Sequence, residues 1–208
     1  MAIKIYLIVV LGIGTTIIFN SCGKNGLGCA NTTYNFQIGE NVTPSKDSIR
    51  ISDTMYLNVN TLTKLKDLQS GNIVDYSNAG NLGNVVSLLR FLPSKKEVGA
   101  IINFQLIMLK GSKVNSIDPS TNQEVLFKEE NGYYKFNMAI IPKDTGRYVI
   151  TISNAANVYR KNDKCTKANF LIDFQSTDQH YNLFNLWRPD LTLDESGKKK
   201  VYYFKVYR

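Results

Sequence analysis

The stretch that decides the fold is YYKFNMAIIPKDTGRYVITI, residues 133–152. Its two ends, 133–141 and 147–152, are rich in aromatic and β-branched residues, and such runs are typical of β-strands. Pro142 ends the first run because proline has no N–H to donate to a sheet ladder. The stretch therefore predicts two strands that are joined by a short turn.

A hairpin signal, EENG at residues 129–132, precedes the first of these strands. Asn131-Gly132 lies between the runs 124–127 and 133–141. Because asparagine and glycine both tolerate positive φ, this dipeptide between two such runs favours a tight turn. We therefore predict that 124–127 and 133–141 pair as a hairpin.

The segment DTGRY, residues 144–148, resembles the D-x-G-x-Y stretch around the tyrosine corner of immunoglobulin-like domains. The matching residues are Asp144, Gly146 and Tyr148. The resemblance implies that the Tyr148 hydroxyl bonds to upstream backbone and fixes the turn into the next strand. Ile150 stands where antibody-type domains carry a cysteine, so the resemblance implies no inter-sheet disulfide of that type.

Other segments also indicate strands by their alternation or their apolar character. They are residues 34–38, 55–59, 101–109, 169–174 and 201–206. The run 101–109 is nearly continuous and apolar, which predicts a central strand that is buried on both faces.

Three segments include helical periodicity. Residues 61–70 and 80–92 fit either a short helix or an irregular strand, and 178–195 predicts one or two helical turns. Many short strands with few helices indicate a β-sandwich. The predicted fold is all-β: an immunoglobulin-like antiparallel β-sandwich with a C-terminal extension, residues 176–208, that contains a short helix and a final strand.

The N-terminus carries Lys4 followed by an apolar run over residues 5–19. Its length of about fifteen residues is that of a signal h-region. A membrane-spanning helix needs about twenty apolar residues. The run therefore favours a targeting signal over a spanning anchor.

The residues after this run resemble a bacterial lipoprotein signal, in which Cys22 becomes the lipid-modified first residue of the mature protein. Ser21 before the cysteine and Gly23 after it match the family. Phe19 and Asn20 depart from its usual leucine and small residue. An ordinary secretory signal, which would leave Cys22 as a free thiol, is the alternative.

The lipoprotein resemblance implies three parts: a signal peptide over 1–21, a flexible tether over 22–32 and a folded domain over 33–208. It implies the lipid bilayer as a partner through acylated Cys22, because more than one buried acyl chain anchors a protein stably. The expected location is the cell envelope, in the outer membrane. Whether the domain faces the periplasm or the surface stays open.

Three cysteines are present. If Cys22 carries lipid, then Cys29 and Cys165 remain as an even pair. In an oxidising compartment such a pair is most simply a disulfide. Two free thiols are the alternative.

The chain has a net charge of +8, which becomes +7 without Lys4, the one charge in the predicted signal. A basic exported protein meets anionic envelope glycans or lipids, and we expect no nucleic-acid partner. Simple solubility explains the same charge.

Catalytic and metal-binding patterns are absent from the sequence. It has one histidine, His180, and nothing marks a nucleophile beside it. The spare cysteines are far apart, so no zinc site is expected. No nucleotide-binding glycine motif occurs, and we expect no cofactor. The prediction is therefore a protein without catalytic residues.

Aromatic residues near carboxylates suggest a glycan site at Trp187, Tyr181 and Asp190. Rings with polar tips favour glycan or protein interfaces, and they equally fill sandwich cores. The expected function is a non-catalytic, lipid-anchored envelope protein for recognition, adhesion or scaffolding, whose partner is a glycan or another envelope protein. The alternative is a carbohydrate-binding or carbohydrate-active accessory protein.

Overall fold

Strands with alternating side chains build two β-sheets that face each other across an apolar core. The computed structural model describes residues 32–94, 96–175 and 178–208. The predicted signal 1–21, the tether residues 22–31 and both Cys22 and Cys29 lie outside these described residues.

The elements follow one another in this order. The strands are β1 (Thr32–Thr43), β2 (Ser48–Arg50), β3 (Met55–Leu62), β4 (Lys64–Lys66), β5 (Ile73–Asp75), β6 (Gly83–Phe91), β7 (Glu97–Gly99), β8 (Phe104–Lys110), β9 (Ser112–Val114), β10 (Asn122–Leu126), β11 (Lys128–Glu130), β12 (Tyr133–Pro142), β13 (Gly146–Ile152), β14 (Ala155–Arg160), β15 (Asp163–Phe174) and β16 (Val201–Tyr207). The helices are a 3-10 turn (Ile101–Asn103), α1 (Tyr181–Trp187) and α2 (Glu195–Lys198).

The first sheet has the strand order β11-β12-β3-β1-β15-β14, with β8 also paired to β12. The second sheet has the order β2-β16-β13-β6-β10-β9, with β7 paired to β6. Strands β4 and β5 form a separate two-stranded ribbon. This arrangement confirms the predicted all-β sandwich. Two pairs depart from its antiparallel pattern, since β1 with β15 and β2 with β16 are parallel.

Inward-facing rings fill the space between the two sheets. The largest fully buried aromatic side chains are Tyr76, Tyr134, Tyr148, Tyr202, Phe36, Phe136, Phe170 and Phe204. They come from both sheets and from the loop before β6, and some contact each other edge to face, for example Tyr76 with Phe170 at 5.7 Å between centroids. Each such ring buries a large apolar area, so these residues contribute strongly to the core.

The two segments that the sequence left open are strands. Residues 61–70 contribute the end of β3, all of β4 and a turn, and 80–92 contribute β6. The prediction of one long, doubly buried strand over 101–109 is wrong. Residues Ile101–Asn103 form a 3-10 turn, and the strand after it exposes one face, with Leu109 53% exposed. The outward residues of an edge strand meet solvent, so an apolar run need not be buried on both sides.

The predicted turn at Asn131-Gly132 is present, and both residues have positive φ, 54° and 75°. It joins β11 to β12. The partner predicted for β12 was the run 124–127, and this part of the prediction is wrong. Residues of that run belong to β10 in the second sheet, and the chain changes sheets at Phe127.

The C-terminal segment is part of the sandwich. The last strand, β16, lies between β2 and β13 in the second sheet. Helix α1 covers the outer face of the same sheet through Leu183, Phe184 and Trp187, all of them buried. No helix in the described part of the chain is long and apolar enough to span a membrane.

The turn into β13 has the geometry of a tyrosine corner. The Tyr148 hydroxyl donates to the main-chain carbonyls of Asp144 at 3.2 Å and Thr145 at 3.3 Å. Arg90 from β6 donates to the Asp144 carboxylate at 2.9 Å. A Cβ on Gly146 would lie 3.0 Å from the Tyr148 ring and from the Arg90 Nε, so a larger residue here would force these neighbours to shift.

One charged residue faces the core. Glu40 on β1 is fully buried, and one of its carboxyl oxygens accepts a 2.6 Å hydrogen bond from the Asn84 amide on β6. The other carboxyl oxygen and the Asn84 carbonyl oxygen have no partner among the described residues. Burial raises the Glu40 pKa from 4.5 to about 8, against the opposing effects of the Asn84 bond and of Lys200. A protonated Glu40 carboxyl carries an O–H group that can donate, whereas an ionised carboxylate can only accept.

We predict that Glu40→Gln removes a pH dependence of stability. Between pH 4.5 and about 8 the folded chain holds a proton on Glu40 that the unfolded chain has released. The free energy of unfolding therefore falls as the pH rises, by about 1.4 kcal/mol for each pH unit in that window. Glu40→Gln is expected to match the wild type near pH 4.5 and to exceed it in stability above about pH 8, as measured by urea denaturation.

Glu195→Gln on α2 is the matched control, because the Glu195 side chain is 84% exposed. The difference in free energy of unfolding between Glu195→Gln and the wild type is expected to stay constant over the same pH range. A constant difference for Glu40→Gln as well would mean that the Glu40 carboxyl titrates normally in the folded state.

Candidate functional site

The predicted glycan site around Trp187 is not an open aromatic surface. Trp187 is 4% exposed, and its ring contacts Phe91 and Tyr203 with centroids 5.2 and 6.1 Å apart. The Tyr181 hydroxyl donates to the main-chain carbonyl of Lys198. A ring that is covered on its faces offers no surface for a sugar, and this corrects the assignment of Trp187 as a stacking platform.

Asp190 lies in the loop after α1. Its carboxylate is 3.4 Å from the Arg188 guanidinium, which also contacts Glu97 on β7 at 3.4 Å. These contacts join the α1 segment to the second sheet. The structure thus brings Trp187, Tyr181 and Asp190 into one region, where they hold the helix against the sheet.

His180 is also a packing residue. It is 7% exposed, its Nε2 lies 3.2 Å from the Tyr202 hydroxyl, and its Nδ1 lies 3.3 Å from Asp178. The structure thus buries the one histidine of the sequence. No serine, threonine or cysteine is among these partners, so the described residues hold no triad around it.

Cys165 near the start of β15 is disulfide-bonded. Cys29, its predicted partner, lies outside the described residues, so the Cys29–Cys165 pairing stays a prediction. The lipidation of Cys22 stays a prediction for the same reason.

A cleft of about 620 Å³, which we call the end cleft, lies among loops at one end of the sandwich. Its walls come from residues 78–82, 111–112 and 126–131, together with Lys161 from the β14–β15 turn. The Lys161 N–H donates to the Asn78 carbonyl at 2.9 Å, which ties two of these loops together. Loops that a rigid β-sandwich positions are a common place for ligand binding.

The end cleft has an apolar floor and a polar rim. Leu82 and Tyr134 on the floor are 3% and 1% exposed. Burial raises the pKa of Tyr134 well above its usual value, so the phenol stays neutral. On the rim, the Asn78 N–H donates to the Glu129 carboxylate at 2.7 Å. A site with an apolar base and a few fixed polar groups can hold an uncharged ring and orient its substituents.

A cluster of charges stands beside the cleft. The Glu130 carboxylate accepts hydrogen bonds from Lys110 at 3.0 Å, Lys128 at 3.2 Å and Lys135 at 3.3 Å. We call these three residues and Glu130 the lysine cluster. The bonds from Lys110, Lys128 and Lys135 lower the Glu130 pKa to about 2, so the carboxylate is ionised at any physiological pH. The cluster carries a local excess of two positive charges.

A second, shallower depression lies on the outer face of the first sheet. We call it the face groove; its volume is about 340 Å³. Its polar lining consists of Asn58, Asn60, Lys110, Lys135 and Asn137. Glu130 lines the end cleft while its partners Lys110 and Lys135 line the face groove, so the lysine cluster stands between the two.

The Glu130 carboxylate beside the two depressions is a poor general acid. A general acid requires a carboxyl with a raised pKa, and Glu130 has a lowered one. The carboxyl whose pKa is raised, Glu40, is sealed in the core and reaches neither depression. In the part of the chain that the structure describes, no group of three or more His, Cys, Asp or Glu side chains could hold a metal ion.

The sequence reasoning missed both depressions. Glu130 was noticed as part of a turn, while Lys110, Lys128 and Lys135 are scattered over residues 110–135. A signal was present in the EENG hairpin, because Lys128 and Lys135 lie symmetrically around it and pair directly across β11 and β12. The position of Lys110 could not be predicted from the sequence, because a register shift between β8 and β12 places it opposite Asn137.

No protein-family model and no curated protein matches the chain. Among solved structures, it is similar to the reelin-N domain of F-spondin, with a TM-score of 0.32, 13% identity, and coverage of 69% of this chain and 85% of that one. It is also similar to the human F-spondin reeler domain (fragment 1), with a TM-score of 0.32, 13% identity, and coverage of 70% of this chain and 88% of that one. A third similar structure is a cohesin module from a Clostridium perfringens family 33 glycoside hydrolase, with a TM-score of 0.30, 9% identity, and coverage of 65% of this chain and 99% of that one. At these TM-scores the likeness carries no argument about function.

Proposed function

We propose that this protein is a non-catalytic recognition module of the bacterial cell envelope, anchored by lipid on Cys22, whose ligand binds in the end cleft. The observation that carries the proposal is the cleft itself, a cavity of about 620 Å³ formed by loops at one end of a rigid sandwich. Its mixed lining suits recognition of a partner on another envelope component. Adhesion and scaffolding are both forms of this activity.

The composition of the cleft supports a role without catalysis. Ser112 is the hydroxyl nucleophile among its lining residues, and no histidine lines the cleft with it. Serine needs an adjacent base to become a nucleophile. The Glu130 carboxylate is engaged by three lysines and is a poor base, because its pKa is about 2. We therefore propose that the cleft binds its ligand without activating it.

A carbohydrate-binding role is the second candidate, and the face groove favours it. Amides of Asn58, Asn60 and Asn137 line this groove, and amide groups can bond sugar hydroxyls as donors and acceptors. A carbohydrate-active enzyme has less support, because it needs a second carboxyl with a raised pKa beside an ionised one. Glu40 has the raised pKa but is sealed inside the core.

We expect Cys22→Ala to release the protein from the membrane. Two or more acyl chains, at about 0.8 kcal/mol for each buried CH2, give an anchor that salt does not disrupt. Metabolic labelling with an alkyne fatty acid is expected to mark the wild-type chain and to leave Cys22→Ala unlabelled. Cys29→Ala is the matched control and should keep the label. Labelled Cys22→Ala would contradict the anchor.

We expect Ser112→Trp to block the end cleft. Ser112 is exposed and lines the cleft, so an indole there occupies the ligand volume without entering the core. The full chain in detergent is expected to bind purified envelope fragments, and the variant is expected to lose at least about tenfold in affinity, which corresponds to about 1.4 kcal/mol. Surface plasmon resonance measures both.

Ser94→Trp places the same ring on an exposed loop that does not line the cleft, and it should bind like the wild type. Protease treatment of the fragments separates a protein ligand from a glycan one. Equal binding by Ser112→Trp and the wild type would exclude the end cleft as the site. Release of reducing sugar ends from the fragments would instead support a carbohydrate-active enzyme.

A further inference from the structure

The lysine cluster is an accessible cationic site. Side-chain exposures are 37% for Lys110, 55% for Lys128 and 30% for Lys135. All three ammonium groups lie within 3.3 Å of a single Glu130 oxygen pair, so one carboxylate compensates three cations. Holding like charges together is unfavourable, and a further anion bound here would relieve the repulsion. The local charge is therefore complementary to an anionic ligand.

The face groove beside the cluster displays a row of amides. Strand register places Asn41, Asn58, Asn137 and Lys110 side by side across β1, β3, β12 and β8. The Asn58 amide donates to the Asn41 carbonyl at 3.3 Å, which fixes its orientation. This row is preformed, because the backbone of a sheet holds it in place.

One atom of this row has an unmet bonding capacity. The Asn137 side-chain carbonyl oxygen is buried and accepts no hydrogen bond from any described residue. It lines the face groove, next to Lys110 and Lys135. Buried acceptors of this kind are normally paired, so a ligand that brings a hydroxyl donor would satisfy it.

An aromatic ring lies next to the lysine cluster. Tyr133 is 37% exposed, and the Lys135 ammonium lies 5.9 Å from its ring centroid. Across the β11–β12 hairpin, Tyr133 pairs directly with Glu130. A half-exposed ring with a polar tip suits contact with the C–H face of a sugar.

We propose that the lysine cluster and the face groove bind an acidic oligosaccharide, with its carboxylate on the lysines and its hydroxyls on the asparagine row. This inference rests on the second candidate function, carbohydrate binding at the face groove, and specifies its ligand class. The surface lies on the face of the sheet, so a peptide cannot join it by adding a strand to an edge. The side chains on the outer face of the groove are asparagines and lysines, which suit hydroxyl and carboxylate groups better than the apolar anchors of a peptide.

The test measures binding of galacturonic acid oligomers to the full chain in detergent by isothermal titration calorimetry. The fully methyl-esterified oligomer, the same sugar without charge, is expected to bind at least about tenfold more weakly. A triple variant is expected to bind the charged oligomer at least about tenfold more weakly than the wild type. It combines Lys110→Gln, Lys128→Gln and Lys135→Gln. The matched triple control, Lys46→Gln, Lys143→Gln and Lys205→Gln, removes equal charge elsewhere and should change affinity by less than about twofold.

Glu130→Gln gives a test of opposite sign. The Glu130 carboxylate occupies the cations that the ligand needs, so its removal is expected to tighten oligogalacturonate binding by about threefold to tenfold at low salt. A residue with a purely structural role would not raise affinity when it is lost. Weaker or unchanged binding in Glu130→Gln would overturn the proposal, and this variant stays informative even if the triple variant does not fold.

Poly-glutamate separates sugar recognition from general attraction of polyanions. We expect it to bind at least about fivefold more weakly than oligogalacturonate, and Asn137→Ala is expected to erase that preference. Equal binding of the two polymers to the wild type would overturn the sugar part of the proposal. If oligogalacturonate fails while envelope fragments still bind and Ser112→Trp still blocks them, the recognition function stands and this ligand class is wrong.

Discussion

The parallel pairing of β1 with β15 is the constraint on which the first sheet depends. Nine consecutive pairs, from Thr32 with Thr166 to Glu40 with Phe174, join segments that are far apart in the sequence. From Asn41 onward, β1 pairs with β3 instead. A single strand thus connects β14 and β15 to β3, β12, β8 and β11. Closing so long a loop costs conformational entropy, and the predicted Cys29–Cys165 disulfide, next to the first of these pairs, would offset part of that cost.

The register of β1 also explains the buried carboxyl. Phe36, Ile38 and Val42 face the core, and Glu40 lies on the same face because side chains alternate along a strand. A slip of one residue would bury Gln37 and expose the apolar set, so the register is strongly specified. Glu40 then meets Asn84 of the opposite sheet. A bond between two buried polar groups adds little net stability, but it fits one alignment of the two sheets and disfavours others.

The sequence allows local structure to be predicted, and it is silent on what distant segments build together. Alternation located β3, β12, β13 and β16, and the turn at Asn131-Gly132 followed from two residues that accept positive φ. The same reasoning placed Trp187 on a ligand surface, because composition cannot tell that α1 lies against the second sheet. The end cleft could not be predicted from the sequence either. Its walls come from loops around Asn78, Phe127 and Lys161, which no local pattern links.

The position of α1 leaves the two outer faces of the sandwich unequal. Helix α1 covers the outer face of the second sheet with apolar residues, so that face forms a second hydrophobic core. Among the described residues, no helix covers the outer face of the first sheet, which carries asparagines and lysines. Glu130 acts there as an internal counter-ion for three lysines. These lysine side chains are 30–55% exposed. An anion that joins Glu130 at this face would leave the ammonium groups in contact with water, and it would avoid much of the desolvation that buried charges otherwise cost.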